Sequence, residues 1–218
     1  IHGREFDGSH LANRWVARMV SGIVLLNHDL YDEMQSSFPR SRTMVATSIF
    51  AEGLGKKGRI SDDDAITEHL FERMPNRQHL LLYIYGDRQV NGRSVYGHDF
   101  ILENASELPS EYRLVVMNLN GSLTRDDLPA DAVYFDQPCD FQELLSQVDI
   151  YLRPTLSDGA SVSVFESLAV GTPVVASDAV DRHGDVILFR TNDFDDFFLL
   201  ALYRVKFQEV LLLRLNFR

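Results

Sequence analysis

The sequence predicts an α/β fold: a parallel sheet with helices on both faces. Two observations carry this. Short apolar runs rich in β-branched and aromatic residues recur along the chain, and helical patterns lie between most of them. The runs are GIVLL (22–26), TMVAT (43–47), HLLLYIYG (79–86), YRLVVMNL (112–119), AVYFD (132–136), DIYLRP (149–154) and PVVAS (173–177). Several are apolar at nearly every position rather than at alternate ones. That marks strands covered on both faces.

The elements follow in order. GIVLL precedes a helical pattern over 29–37, and TMVAT is a second short strand. AEGLGKKGR (51–59) is rich in Gly and Lys and reads as a linker. Ser61 with Asp64 three residues on has the form of a capping box, so a helix starts there. Further helices are expected over 99–108, over 141–148 after Asp140, and over 162–170. Gly, Pro, Asp or Asn bound each strand, and there are no internal repeats.

Composition narrows the function. Hydrophobic residues make up 45% and charged residues 24% of the 218 residues, enough to bury a real core. The net charge is -11, and no stretch is dense in Lys and Arg. A nucleic-acid partner is therefore not expected. An anionic ligand would have to be held locally, by helix N-termini, backbone amides and a few Arg residues. The single cysteine, Cys139, excludes a disulfide framework and reads as a bystander thiol in a reducing, cytoplasmic setting. The chain opens Ile-His-Gly with no Met and shows no secretory signal. The apolar tract 197–215 is broken by Arg204, Lys206, Gln208 and Glu209. It does not read as a spanning helix and leaves open an amphipathic surface helix, with peripheral contact at the inner face of a membrane.

In open parallel sheets, ligands bind beyond the carboxyl ends of the strands. The richest such loop is RPTLSDGASVSVFESLAVGTPVVASD, residues 153–178. Gly159, Ala160 and Ser161 are small residues just before a helix, and they let backbone come close to a ligand. The N–H groups of the first turn, through Val162 and Ser163, suit a phosphate or diphosphate. Glu166, one turn in, can accept two hydrogen bonds from a vicinal diol such as a ribose. Asp158 can accept from hydroxyls beyond the phosphates. The same residues also fit a purely structural description. Ser163 with Glu166 has the form of a capping box, Asp158-Gly159 of an ordinary turn, and Gly171-Thr172-Pro173 of a helix end and strand start.

This segment resembles the donor-site signature of retaining GT-B glycosyltransferases of the glycosyl transferases group 1, or family 4, type. The pattern is an acid, seven residues, Glu, then a small-residue-rich helix and G-x-P-V-V-A-S. It is met here by Asp158, Glu166, Ala169, Gly171, Pro173, Val174, Val175, Ala176 and Ser177. The first acid, more often Glu in that class, is the shorter Asp here. The resemblance implies a Rossmann-like sheet forming the C-terminal half of a GT-B fold. It implies that Glu166 holds the ribose, that Asp158 contacts the transferred sugar, and that residues 159–163 lie against the distal phosphate. In that class a Gly-Arg after the first donor-domain strand and a later Lys-Gly clamp the diphosphate. Here Gly86 is followed by Arg88 after one inserted residue, with Arg93 as a second candidate. Tyr96-Gly97 stands where Lys-Gly is expected. His2-Gly3 matches a pair that faces the reaction centre from the acceptor domain.

The resemblance is strong over 134–189, modest over 79–119 and faint before residue 59. It implies a division into residues 1–50, a remnant of the N-terminal acceptor domain, and residues 51–218, the nucleotide-sugar-binding domain, with the final crossover helix not evident. The expected reaction is transfer of a sugar from a nucleotide diphosphate sugar to a hydroxyl acceptor with retention. The base is UDP or GDP, the setting is polysaccharide synthesis, and no cofactor or metal is required. The acidic pairs Asp126-Asp127 and Asp62-Asp63-Asp64 read as solvated or dipole-complementing charge. His183-Gly184 is a loop candidate without an assigned role. Competing readings are a non-catalytic donor-binding subunit needing a partner domain and a nucleotide-sugar 2-epimerase. A dinucleotide dehydrogenase is disfavoured because no G-x-G-x-x-G follows a strand.

Overall fold

The computed structural model describes residues 77–198 except 160 and 183, together with residues 19, 23–25, 43–45 and 203. The expected helix at 29–37, the linker at 51–59, the capping box at Ser61, the boundary at residue 50 and most of the tract 197–215 lie outside the described residues. Strands β1 (Ile23–Leu25) and β2 (Thr43–Val45) pair in parallel, as their apolar runs anticipate.

The main sheet has six strands: β3 (Gln78–Tyr85), β6 (Tyr112–Leu119), β7 (Val133–Phe135), β8 (Ile150–Arg153), β9 (Val174–Ser177) and β10 (Ile187–Phe189). Their order is β10-β9-β8-β3-β6-β7. Every pairing is parallel. Numbered by their own succession, the strands run 3-2-1-4-5-6 from the β7 edge, the Rossmann order. The direction of winding reverses between β3 and β8. The connections leaving their carboxyl ends therefore go to opposite faces of the sheet and leave a crevice.

The apolar runs become central strands because both faces of the sheet are covered. Leu80, Leu82 and Ile84 of β3 face one core with Phe100 and Ile101 of helix α1 (His98–Glu103). Leu81 faces the other core, with Leu144 and Leu145 of α2 (Phe141–Gln147) and Val164 of α3 (Val162–Val170). All three leucines are fully buried, each contributing about 1.5–3 kcal/mol. On the α1 face, Phe100 stacks on Phe189 at 5.8 Å, and Phe197 packs edge-on against both rings.

The expected helix over 99–108 is shorter. It runs as α1 and gives way to a 3-10 turn, Ala105–Glu107, where Asn104 bonds back to the Phe100 carbonyl. Helix α2 starts where Asp140 predicts, its carboxylate accepting from the Gln142 and Glu143 amides. Helix α3 has the expected bounds and ends at Gly171, whose φ of 89° suits a residue without Cβ. Asp126 and Asp127 sit in a 3-10 turn, Arg125–Asp127, closed by a reciprocal cap between Thr124 and Asp127. Two features go beyond the expected elements. Strand β10 extends the sheet, and a hairpin of β4 (Gln89–Val90) and β5 (Arg93–Ser94) follows β3. Asn91 and Gly92 both have positive φ at its tip, the conformation an Asn-Gly hairpin requires.

Candidate functional site

A cavity of about 840 Å³ opens at the carboxyl ends of β3, β6 and β8, where the winding reverses. One side is apolar: Met117 and Leu119 from the end of β6, then Pro138, Cys139 and Phe141 from the start of α2. The opposite side is polar, made of Arg153, Ser157, Asp158, Gly159 and the first turns of α3. Tyr83, Tyr85 and Tyr96 line the space with them.

The loop after β8 is fixed from three directions. The Leu156 amide donates to the Val95 carbonyl at 2.9 Å. The Ser177 hydroxyl, at the end of β9, donates to the Thr155 carbonyl. Gly97, with φ 66°, lies so close to the loop that an added Cβ would stand 1.8 Å from the Pro154 carbonyl oxygen. Glycine at 97 is thus required both by conformation and by space. It is also the N-cap of α1.

Asp158 is an ion-pair centre. Its Oδ2 accepts from Arg153 Nε at 3.0 Å and from Arg182 Nη1 at 3.0 Å. Arg182 Nη2 also donates to Thr155 Oγ1 at 2.8 Å. The three side chains are 10%, 3% and 12% exposed for Arg153, Arg182 and Asp158. Burial opposes the Asp158 charge, but the two guanidinium groups more than offset it and hold its pKa below the ordinary carboxylate range. Burial likewise opposes the Arg153 charge. Tyr151, Asp158 and Tyr96 around it outweigh that and raise its pKa. For Arg182 burial prevails and the shift is downward. The Arg153 guanidinium also sits 5.6 Å from the centre of the Tyr96 ring, a cation–π contact.

Helix α3 aims its amino end at the cavity. Its N-cap is Ser161, which makes no side-chain capping bond; the Val164 amide donates to the Ser161 carbonyl at 3.2 Å. The capping-box description of Ser163 and Glu166 does not hold. Ser163 is the second helical residue, and its hydroxyl lies 2.7 Å from Tyr151 Oη and 2.8 Å from Ser161 Oγ. Ser163 thus anchors the helix to β8 by its side chain. Val162 and Glu166 line the cavity beside it.

The structure brings together Arg88, Asp158, Gly159, Ser161, Val162, Ser163 and Glu166. Arg93 stands apart: it is not among the lining residues, and its Nη1 pairs with Glu103 Oε2 of α1 at 3.1 Å in an exposed bridge. His2, Ala160 and His183 lie outside the described residues. The sequence reading missed Arg153, Arg182 and the tyrosines. A charge ending an otherwise apolar strand, as in Ile-Tyr-Leu-Arg, was an available signal for Arg153. Nothing local marks Arg182, which returns from the crossover between β9 and β10. Among the described residues, no group of three or more His, Cys, Asp or Glu is placed to hold a metal ion, and no helix is long and apolar enough to cross a membrane.

The parallel six-stranded sheet with its flanking helices is the Rossmann-like half of a GT-B fold. The family profile described as Glycosyl transferases group 1 matches residues 88–201, more than half of the chain, and the chain belongs to that family. A search of curated proteins gave no match. Among solved structures, HepE from Anabaena in complex with UDP and glucose is similar at TM-score 0.60 and 14% identity, over 87% of this chain and 56% of that one. The sucrose-phosphate synthase of Thermosynechococcus elongatus is similar at TM-score 0.66 and 12% identity, over 89% and 51%. An E. coli trehalose-6-phosphate structure bound with UDP-2-fluoro glucose is similar at TM-score 0.61 and 13% identity, over 90% and 56%. This chain thus spans little more than half the length of each. At these identities the likeness establishes the fold.

Proposed function

We propose that this chain is the donor-binding part of a glycosyltransferase that moves a sugar from a nucleotide diphosphate sugar to a hydroxyl acceptor, with retention at the anomeric carbon. The observation that carries this is the cavity at the strand-order reversal, with the uncapped amino end of α3 and Glu166 on its wall. Its two sides differ in the way such a donor does. The apolar side formed by Met117, Leu119, Pro138 and Phe141 suits a nucleobase. The amino end of α3 suits a phosphate, because it has no side-chain cap and the positive end of the helix dipole points there. Glu166, on α3 and lining the same cavity, accepts from the ribose hydroxyls. Similar folds are described in complex with UDP and glucose and with UDP-2-fluoro glucose, which supports a UDP-sugar.

The chemical task is to stabilise charge on the leaving diphosphate. Fixed amides, a helix dipole and arginines do this without reorganising as the bond breaks. Hydroxyl acceptors in polysaccharide or glycoconjugate synthesis fit this reaction class.

Calorimetric titration with UDP and GDP tests the reading. The chain is expected to bind one of them, and Glu166→Ala to weaken it about tenfold to hundredfold, the worth of a hydrogen bond to a charged group. Equal binding by the variant removes Glu166 from the ribose role. No binding of either nucleotide by the unmodified chain removes the donor reading.

A further inference from the structure

The Arg153–Asp158–Arg182 cluster holds two cations on one carboxylate, all nearly buried. A net positive charge out of water is costly unless an anion meets it. The two arginines are placed differently. Arg182 is not among the residues lining the cavity, its terminal nitrogens spent on Asp158 and Thr155 and its Nε buried with no partner. Arg153 lines the cavity, and it meets Asp158 through Nε rather than through its terminal nitrogens. Asp158, the Tyr96 ring and the buried Tyr151 hydroxyl all contact that guanidinium.

We infer that Arg153 is the anion receptor of this cavity and takes the diphosphate of the donor, with Asp158 and Arg182 as its positioning residues. The inference rests on the donor reading above. A guanidinium suits the task, since its fork matches two phosphate oxygens and its plane stacks on Tyr96. Position 96, where the sequence resemblance would place a lysine, holds a tyrosine that cannot supply the charge but can seat one. Asp158 then acts on Arg153 and not on sugar hydroxyls. Its Oδ2 is shared by two arginines and its Oδ1 accepts from the Gly159 amide at 2.9 Å, so both oxygens are engaged.

Titration with UDP, uridine, inorganic pyrophosphate and UDP-glucose tests this on the full chain. Arg153→Met is expected to weaken UDP and pyrophosphate about tenfold to hundredfold and leave uridine within about twofold. UDP binding unchanged by Arg153→Met overturns the assignment while the donor reading stands. Pyrophosphate binding without any nucleotide binding keeps the receptor and sinks the donor reading. Because Arg153→Met disturbs a buried pair, Asp158→Asn gives a second reading that keeps Arg153 and the side-chain size. It is expected to leave the ratio of UDP-glucose to UDP affinity unchanged within about twofold. A tenfold fall in that ratio assigns Asp158 to the sugar and overturns its positioning role.

Discussion

The loops after β3 and after β8 reach the same cavity from neighbouring strands, yet they carry charge in opposite ways. After β3, the β4–β5 hairpin holds Arg93 in a bridge to Glu103, with side chains 42% and 57% exposed. After β8, Asp158 and its two arginines are nearly closed off from water. Water screens the first pair and competes for both partners, so the pair adds little. The second group cannot fall back on water, so each member is needed by the others. The difference identifies which arginines are built into the fold for a purpose that exposed pairing does not serve.

Substitutions should break this contrast in a definite order. The largest effect is expected from Asp158→Ala, which strands two buried guanidinium groups. A loss of about 3–5 kcal/mol is expected in denaturant unfolding. A loss below about 1 kcal/mol would mean that the cluster relaxes into solvent. Next is Gly97→Ala, where the methyl meets the Pro154 carbonyl and the backbone keeps a positive φ. A loss of about 1–3 kcal/mol is expected, with weaker nucleotide binding because the β8 loop must shift. Unchanged stability and binding would show that the two loops are not coupled there. The smallest effect is expected from Arg93→Ala. Stability should fall by less than about 1 kcal/mol and nucleotide affinity should stay within about twofold. A tenfold affinity loss would return Arg93 to the diphosphate clamp and dissolve the contrast.

The strands are legible in the sequence to different degrees, for a physical reason. β3, β6 and β8 are covered on both faces, so their apolar runs are long and unmistakable. β10 is a three-residue edge strand with Leu188 exposed, and so short a run carries little pattern. The hairpin strands are two residues each, and Asn91-Gly92 is their one local signal. Of the site, the small-residue loop, the start of α3 and Glu166 are contiguous and readable. Arg153 is adjacent to that loop but looks like a strand end.

The sequence alone determines the alternation of strands and helices and the position of the α3 loop, because each rests on neighbours within a few residues. It does not determine what Asp158 does. A carboxylate before a helix N-terminus reads equally as a turn residue or a hydroxyl acceptor. Its partners are Arg153, five residues away, and Arg182, 24 residues away beyond helix α3 and strand β9. Only the folding of the crossover after β9 back onto the β8 loop brings that second charge in. Burial then turns a surface-type residue into the centre of a charged cluster, a property of the packed molecule and not of any stretch of chain.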